Sequence, residues 1–427
     1  MADTPAQPDD RERTGDDTSA PAGAGPRIAV LAPLYGAGFV TAFGAHAVAT
    51  GVGTEAGSGQ LSLLALGLVL AVYDGAEVLL KPVFGALADR WGPRPVLLGG
   101  LAAFALVSLV YVLAVLTGAA RAGAGAAVAL TLVRLGQGAA ASAFSPAAGA
   151  MVGRLGAGGR RGRVFGSYGA WKGLGYTAGP LLGGVVVALA GLTALFVVLA
   201  AVATAATVWV ALRVPALPPL PRERQTVVDL ARRLGAPAFL RPTAALAGTT
   251  AALSVAVGFL PVQGIAAGLS PIVVGAVVAC LALSSTLVQP QAGRAHDRGK
   301  LSARAALAVG FTLLVAGFVL AATVTGIVAL VPAAIVIGLG VGIATPVAFA
   351  SLAASSPPER LGQTMGSAEV GRELGDAGGP LLVGAVAAAA SVAAGLGTLA
   401  AVLAAIGIAS AARRSPARRG EAADGRG

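Results

Sequence analysis

Seven ionisable residues lie inside strongly apolar sequence. Asp74, Glu77 and Lys81 occupy one apolar run at i, i+3 and i+7, a spacing that puts all three on one helix face. Glu369, Arg372, Glu373 and Asp376 occupy another run, again mostly on one face. An ionisable side chain in hydrocarbon is costly, so such groups pair or act. Two kinds of chemistry fit. Opposite charges can gate a seam between helices, or carboxylates can take up and release protons. Asp74 and Asp376 fall nearest the middle of their runs and are the candidate proton carriers, with Glu77 and Glu373 beside them. A second pattern is a stripe of Tyr35, Phe39, Phe43 and His46 at i, i+4, i+8 and i+11. It reads either as packing or as the wall of a site for an apolar or cationic compound. Gln263 and Phe259 are weaker candidates for the same wall.

The elements that position these residues repeat. Pro82, Gly85, Asp89 and Arg90 recur 208 positions later as Pro290, Gly293, Asp297 and Arg298. Gly166, Gly175, Gly179, Pro180 and Gly184 recur 200 positions later as Gly366, Gly375, Gly379, Pro380 and Gly384. On the second offset Lys172 corresponds to Arg372, which argues for a symmetric structural role. Matching Gly/Pro-interrupted segments in two apolar halves mark a duplicated membrane transporter.

Composition agrees: 56% of residues are hydrophobic and 11% charged. Twelve apolar runs approach the roughly 20 residues that span a bilayer as a helix. The expected chain is therefore an all-α membrane protein, with twelve transmembrane helices in two pseudo-symmetric six-helix bundles. The bundles cover residues 28–213 and 242–413, joined by a linker at 214–241 and flanked by cytoplasmic tails at 1–27 and 414–427. The first tail is polar, acidic and rich in Asp, Pro and Gly, as in a disordered segment, and lacks the apolar core of a signal peptide. Within the linker, Val227, Leu230 and Leu234 share a face opposite Arg232 and Arg233, the pattern of a helix on a membrane surface or of a plain connector.

The net charge of +11 does not point to nucleic acid, because of where the charges fall. Of 30 Lys and Arg, 24 lie in the tails or in alternate loops that share one side, and Arg121 lies alone on the other. Lys81, Arg134, Lys172, Arg304 and Arg372 fall within helices or at their ends. The positive-inside rule puts both termini in the cytoplasm of a multi-pass protein of the cell membrane. The bilayer, a small-molecule substrate and protons are the expected partners, and the protein is expected to be monomeric. None of the three lysines follows a Gly-rich phosphate loop. Two histidines and Cys280 form no metal-ligand cluster, so neither cofactor nor metal is expected, and an ion gradient remains as the driver.

Three motifs carry a family resemblance. Residues 85–95, G-A-L-A-D-R-W-G-P-R-P, resemble the loop between helices 2 and 3 of the major facilitator superfamily. Arg134-Leu135-Gly136-Gln137-Gly138 resembles its helix 4 motif. Gly166, Gly175, Gly179, Pro180, Gly183 and Gly184 match the helix 5 motif of its twelve-helix drug/proton antiporters at every position. The resemblance implies that Asp89 docks on the start of helix 11 and holds an outward-closed arrangement. Gly85 and Gly92 allow the tight turn, and Arg90 serves either the switch or the topology. Lys300 stands at the position of Gly92 in the second copy, so Asp297 and Arg298 make a less certain switch. The helix 5 glycines imply a sealed, bendable contact between halves. With helices 2 and 11 packed antiparallel, Lys81 meets Glu369, while Glu77 and Asp74 meet Arg372. Arg134 resembles a residue of proton coupling, or else anchors Gln137. The implied activity is proton-coupled export of small apolar or cationic compounds by alternating access. A metabolite symporter is the alternative, and a transport-dead sensor a distant third. No enzymatic site is expected.

The asymmetry of Lys and Arg makes a direct prediction. Reporter fusions after residues 158 and 228 should report the cytoplasm, and a fusion near Arg121 the outside. A cytoplasmic signal near Arg121 overturns the twelve-helix topology.

Overall fold

The computed structural model describes residues 28–57, 63–119, 123–221, 227–269, 271–324 and 326–411. The tails expected at 1–27 and 414–427, and Arg121, lie outside the described residues. The helices are α1 (Ile28–Gly57), α2 (Leu63–Trp91), α3 (Pro93–Leu116), α4 (Gly123–Leu155), α5 (Arg161–Arg213) and α6 (Val227–Leu234). They continue with α7 (Pro237–Ala266), α8 (Pro271–Asp297), α9 (Ala303–Thr323), α10 (Ile327–Ser355), α11 (Leu361–Ala389) and α12 (Val392–Ala411).

Among the described residues, nine helices are long and apolar enough to cross a membrane. Three further crossings follow from local chemistry. At 53 residues α5 is far longer than one crossing requires, and Gly191 interrupts it with φ 79° and ψ 174°. Only glycine adopts that conformation cheaply, so one residue turns the chain back across the bilayer, between the two runs read from the sequence. The other two crossings are α2 and α11, whose intramembrane charges depress their hydropathy below that of their neighbours. The result is the twelve-helix architecture expected. The short helix read in the linker is α6.

In the first half, α1 packs on α5, α2 on α4, and α3 on both α4 and α5. In the second, α7 packs on α10 and α11, α8 on α10, and α9 on α10 and α12. The halves meet where α2 lies against α11 and α5 against α8, with α4 reaching α11 and α10 reaching α5.

Helix geometry assigns the helix 5 glycines to two different seams. Residues nine apart are about two and a half turns apart, hence on opposite faces. A Cβ on Gly166 would strike the backbone of Gln289 and Pro290 on α8, in the other half. A Cβ on Gly175 would come 2.6 Å from the carbonyl oxygen of Phe39 on α1, and Gly179 and Gly183 also face α1. The second copy repeats this, with Gly366 against Lys81 and Pro82 of α2, and Gly375 and Gly379 against Ala247 and Ala251 of α7. The expected contact between halves therefore fits Gly166 but not Gly175, Gly179 or Gly183, which close a seam within one bundle. Gly184 approaches only Thr50 Cγ2, at 3.7 Å, and Pro180 lies within the continuous helical run of α5.

The two environments predict different tolerances. Gly175→Ala should cost about 1–3 kcal/mol, because backbone must move to admit the methyl group. Gly184→Ala should be nearly neutral. The midpoint for heat-induced loss of monodisperse protein in detergent measures both, and equal midpoints would show that Gly175 does not set the spacing of α1 and α5.

Candidate functional site

Two carboxylates close one end of the molecule, called here the basic face because the α2–α3, α4–α5 and α8–α9 connections bring their cations there. The backbone N–H groups of Gly362 and Gln363, at the start of α11, donate to Asp89 Oδ1 and Oδ2 at 2.7 Å each. Those of Gly162 and Arg163, at the start of α5, donate to Asp297 Oδ1 and Oδ2, also at 2.7 Å. A helix start offers unpaired N–H groups and a positive dipole end, so a carboxylate is well matched to it. Glycine pairs Gly85–Gly362 and Gly293–Gly162 let the backbones approach closely enough. Asp89 docks as the resemblance implies, and Asp297 docks equally well. Gly299, with φ 72°, supplies the turn that Gly92, with φ 93°, makes in the first copy. Lys300 at the position equivalent to Gly92 is thus no obstacle. Arg90 and Arg298 are exposed on the same face.

Contacts with the end of α5 and with the linker reinforce this end. Arg94 Nη2 donates to the Ala211 carbonyl oxygen at 2.8 Å and Arg154 Nη2 to that of Pro218 at 3.0 Å. From α6, Arg233 Nη2 donates to Gln363 Oε1 at 2.5 Å, beside the Asp89 dock.

One helical level above the docks, charges bind α2, α5 and α11 together. Lys81 Nζ lies 2.7 Å from Glu77 Oε2, 2.5 Å from Glu373 Oε1 and 3.7 Å from Glu369 Oε2. Glu369 also receives Lys172 Nζ at 3.3 Å and Arg372 Nη1 at 2.9 Å. Arg372 Nη2 donates to the Tyr176 hydroxyl at 3.4 Å. Three cations and three carboxylates thus balance in a region where Lys81 is only 1% exposed.

A second buried cation belongs to the first half alone. The Arg134 guanidinium stacks 3.9 Å from the Tyr73 ring centroid and donates to Gln137 Oε1 at 3.3 Å. Gln137 Nε2 donates in turn to Ser108 Oγ at 2.9 Å. Asp74 is exposed at this level, within electrostatic reach of Arg134, Glu373 and Asp376.

The α1 stripe divides. Phe39 and Phe43 stack with centroids 5.4 Å apart, and His46 sits edge-on to Tyr176 at 4.5 Å. Tyr35 instead hydrogen-bonds Ser167 near the closed end, so it is a packing residue. Gln263 donates to the Ala321 carbonyl oxygen at 2.8 Å, tying α7 to the end of α9, and Phe259 is the neighbour Gly184 lacks in its repeat, 3.8 Å from a Cβ on Gly384. Tyr35 is thus held within the first bundle, while Gln263 Oε1 has no hydrogen-bond partner among the described residues.

Comparison with known proteins fits this architecture. The family model described as Major Facilitator Superfamily matches residues 29–267 and again 243–427. The chain belongs to the Major Facilitator Superfamily. A "Multidrug resistance protein B homolog" of Mycobacterium tuberculosis is 39% identical over 103 residues, which is 24% of this chain. The match spans 18% of that relative's length. Among solved structures, the human organic anion transporter MFSD10 aligns with TM-score 0.71 at 18% identity, over 91% of this chain and all of that one. The superfamily transporter FucP in its outward conformation aligns with TM-score 0.74 at 14% identity, over 90% of this chain and 99% of that one. At these identities the structural likeness concerns the fold.

As a superfamily member the chain is a multi-pass membrane transporter, and one expectation about its charges needs correction. Glu77 and Asp74 do not meet Arg372. Arg372 folds back one turn to Glu369 and reaches Tyr176, while Glu373 takes Lys81. Lys81 takes both Glu77 and Glu373 at 2.7 Å or less, so Glu77 is engaged on its own helix. Both docks join the halves at the basic face. Sequence reading missed Tyr176, although the 200-residue offset places it opposite Asp376.

These pairings predict a double-mutant cycle. Glu77→Gln and Lys81→Gln should show a coupling energy of about 1–3 kcal/mol, since removing either alone strands a buried charge. Glu77→Gln and Arg372→Gln should be additive to within about 0.5 kcal/mol. Thermal midpoints of the four proteins in each cycle decide, and the reverse ranking would restore the Glu77–Arg372 pair.

Proposed function

We propose that this protein is a proton-coupled exporter of small apolar or cationic compounds, working by alternating access. In this reading the basic face is cytoplasmic, both termini lie in the cytoplasm, and the protein sits as a monomer in the cell membrane. The bundles at 28–213 and 242–413 are the two moving bodies. The Asp89 and Asp297 docks then hold the cytoplasmic end shut, a state open to the outside. Its fold likeness to a transporter in the outward conformation supports that assignment.

The observation that carries the reading is a charge count. The network around Lys81 is balanced without Asp74 or Asp376, which leaves both carboxylates free to exchange a proton for a cationic substrate. Phe39 and Phe43 offer the apolar surface that such a compound needs. The partial match to a multidrug resistance homologue supports export over uptake.

Proteoliposomes with an imposed pH gradient, challenged with a panel of cationic dyes and metabolites, test the proposal. Substrate should move against the direction of proton flow. Asp74→Asn should abolish the gradient-driven flux by at least tenfold while leaving exchange of substrate for substrate in place. Substrate moving with the protons makes the protein a symporter, and flux indifferent to pH for every compound removes proton coupling.

A further inference from the structure

His46 stands outside both charge clusters, on α1 of the first half. Its Nδ1 lies 3.0 Å from the carbonyl oxygen of Ala42, one turn earlier. A carbonyl only accepts, so Nδ1 carries the hydrogen and Nε2 is left as the basic atom of the ring. The ring stands edge-on to Tyr176 of α5, with centroids 4.5 Å apart and planes at 77°. That contact fixes its orientation.

The charged groups within electrostatic reach of the ring are Asp376 and Glu373 on α11 and Arg134 on α4. Two of these are already engaged. Glu373 holds Lys81 at 2.5 Å, and Arg134 is held by Tyr73 and Gln137. Asp376 takes part in no ion pair among the described residues. Its backbone oxygen accepts from Ser254 Oγ of α7 at 3.0 Å.

The internal repeat gives these four residues a common meaning. His46 and Ser254 are equivalent at the 208-residue offset, and Tyr176 and Asp376 at the 200-residue offset. His46 rests on Tyr176 as Ser254 rests on Asp376. The duplicated α1–α5 and α7–α11 contacts have thus diverged so that a base lies in one half and an acid in the other, within electrostatic reach of each other.

We propose that His46 binds a proton at Nε2 and that the imidazolium so formed pairs with Asp376 across the two halves. The proton comes from solvent, the ring goes from neutral to singly positive, and the pair with the carboxylate is neutral. When the proton leaves, the attraction between α1 and α11 goes with it. The proposal rests on the proton-coupled reading above and adds the residue that senses the proton.

The chain has two histidines, His46 and His296, which makes the test direct. Full-length protein carrying His296→Gln and labelled with ¹⁵N-histidine has a single imidazole to follow by NMR in nanodiscs. At high pH the ring should show the Nδ1–H tautomer, and it should convert to imidazolium between about pH 5 and 8. Asp376→Asn should lower the imidazolium fraction several-fold at the pH where the parent is half converted, and Asp376→Glu should restore it. A ring that stays neutral down to pH 5, or a curve indifferent to Asp376→Asn, overturns the proposal. Failure here is separable from failure of the transport reading. Flux driven by pH in a protein whose His46 does not titrate removes this inference alone. A His46 that titrates with Asp376 in a protein without pH-driven flux removes proton-coupled transport and keeps the pair.

Discussion

A lysine ammonium buried at the centre of a membrane protein needs negative charge close by, and at Lys81 the fold supplies it from two bodies. Glu77 comes from one turn earlier on the same helix, and Glu373 comes from the other half of the molecule. An unpaired charge there would cost several kcal/mol, so α11 must present its acidic face to α2. Once Glu373 is committed, Glu369 is drawn between Lys172 and Arg372, which recruits α5. Three helices from two bundles are thereby registered to one another. The close glycine contacts along these seams, such as Gly366 on Lys81, are what allow short ion pairs to form.

The duplication did not preserve this arrangement evenly. At the equivalent seam between α5 and α8, Gln289 stands at the position of Lys81 and Ser285 at that of Glu77. Gln289 Nε2 lies 3.2 Å from Ser285 Oγ, a neutral counterpart of the Lys81–Glu77 pair. Gly169 replaces Glu369, and its Cα hydrogens face the Gln289 side chain. The two docks at the basic face remain alike, while the two seams above them differ in charge. The α2–α11 seam is therefore held by charge and its counterpart by a neutral hydrogen bond.

Much of this was legible in the sequence because it depends on periodicity and spacing. Twelve apolar runs give twelve crossings, and the 208-residue offset pairs Asp89 with Asp297 at matching docks. What the sequence left open depends on side-chain reach. Helical phase placed Glu77, Lys81, Glu369 and Arg372 on facing surfaces, but Arg372 is long enough to fold back on Glu369 rather than cross to Glu77. The glycine motif was recognised as a unit, whereas its nine-residue first interval splits it between two seams. The Tyr35 hydroxyl and the Gln263 amide nitrogen find partners in neighbouring helices, which no pattern on α1 or α7 alone reveals.

The docks have a property that bears on how this molecule can drift in sequence. Asp89 and Asp297 are received by main-chain amides, of Gly362 and Gln363 in one case and of Gly162 and Arg163 in the other. Gln363 and Arg163 lend only their N–H groups to these bonds, so almost any amino acid except proline serves at either site. Gly362 and Gly162 must stay small for the helices to approach, and beyond that the receiving side is encoded by the presence of a helix start. A change at either aspartate thus has no compensating change across the seam, because there is no partner side chain to alter. In each latch the aspartate supplies the bonding side chain and the opposing glycine supplies the space, so the two halves share its heritable information unequally.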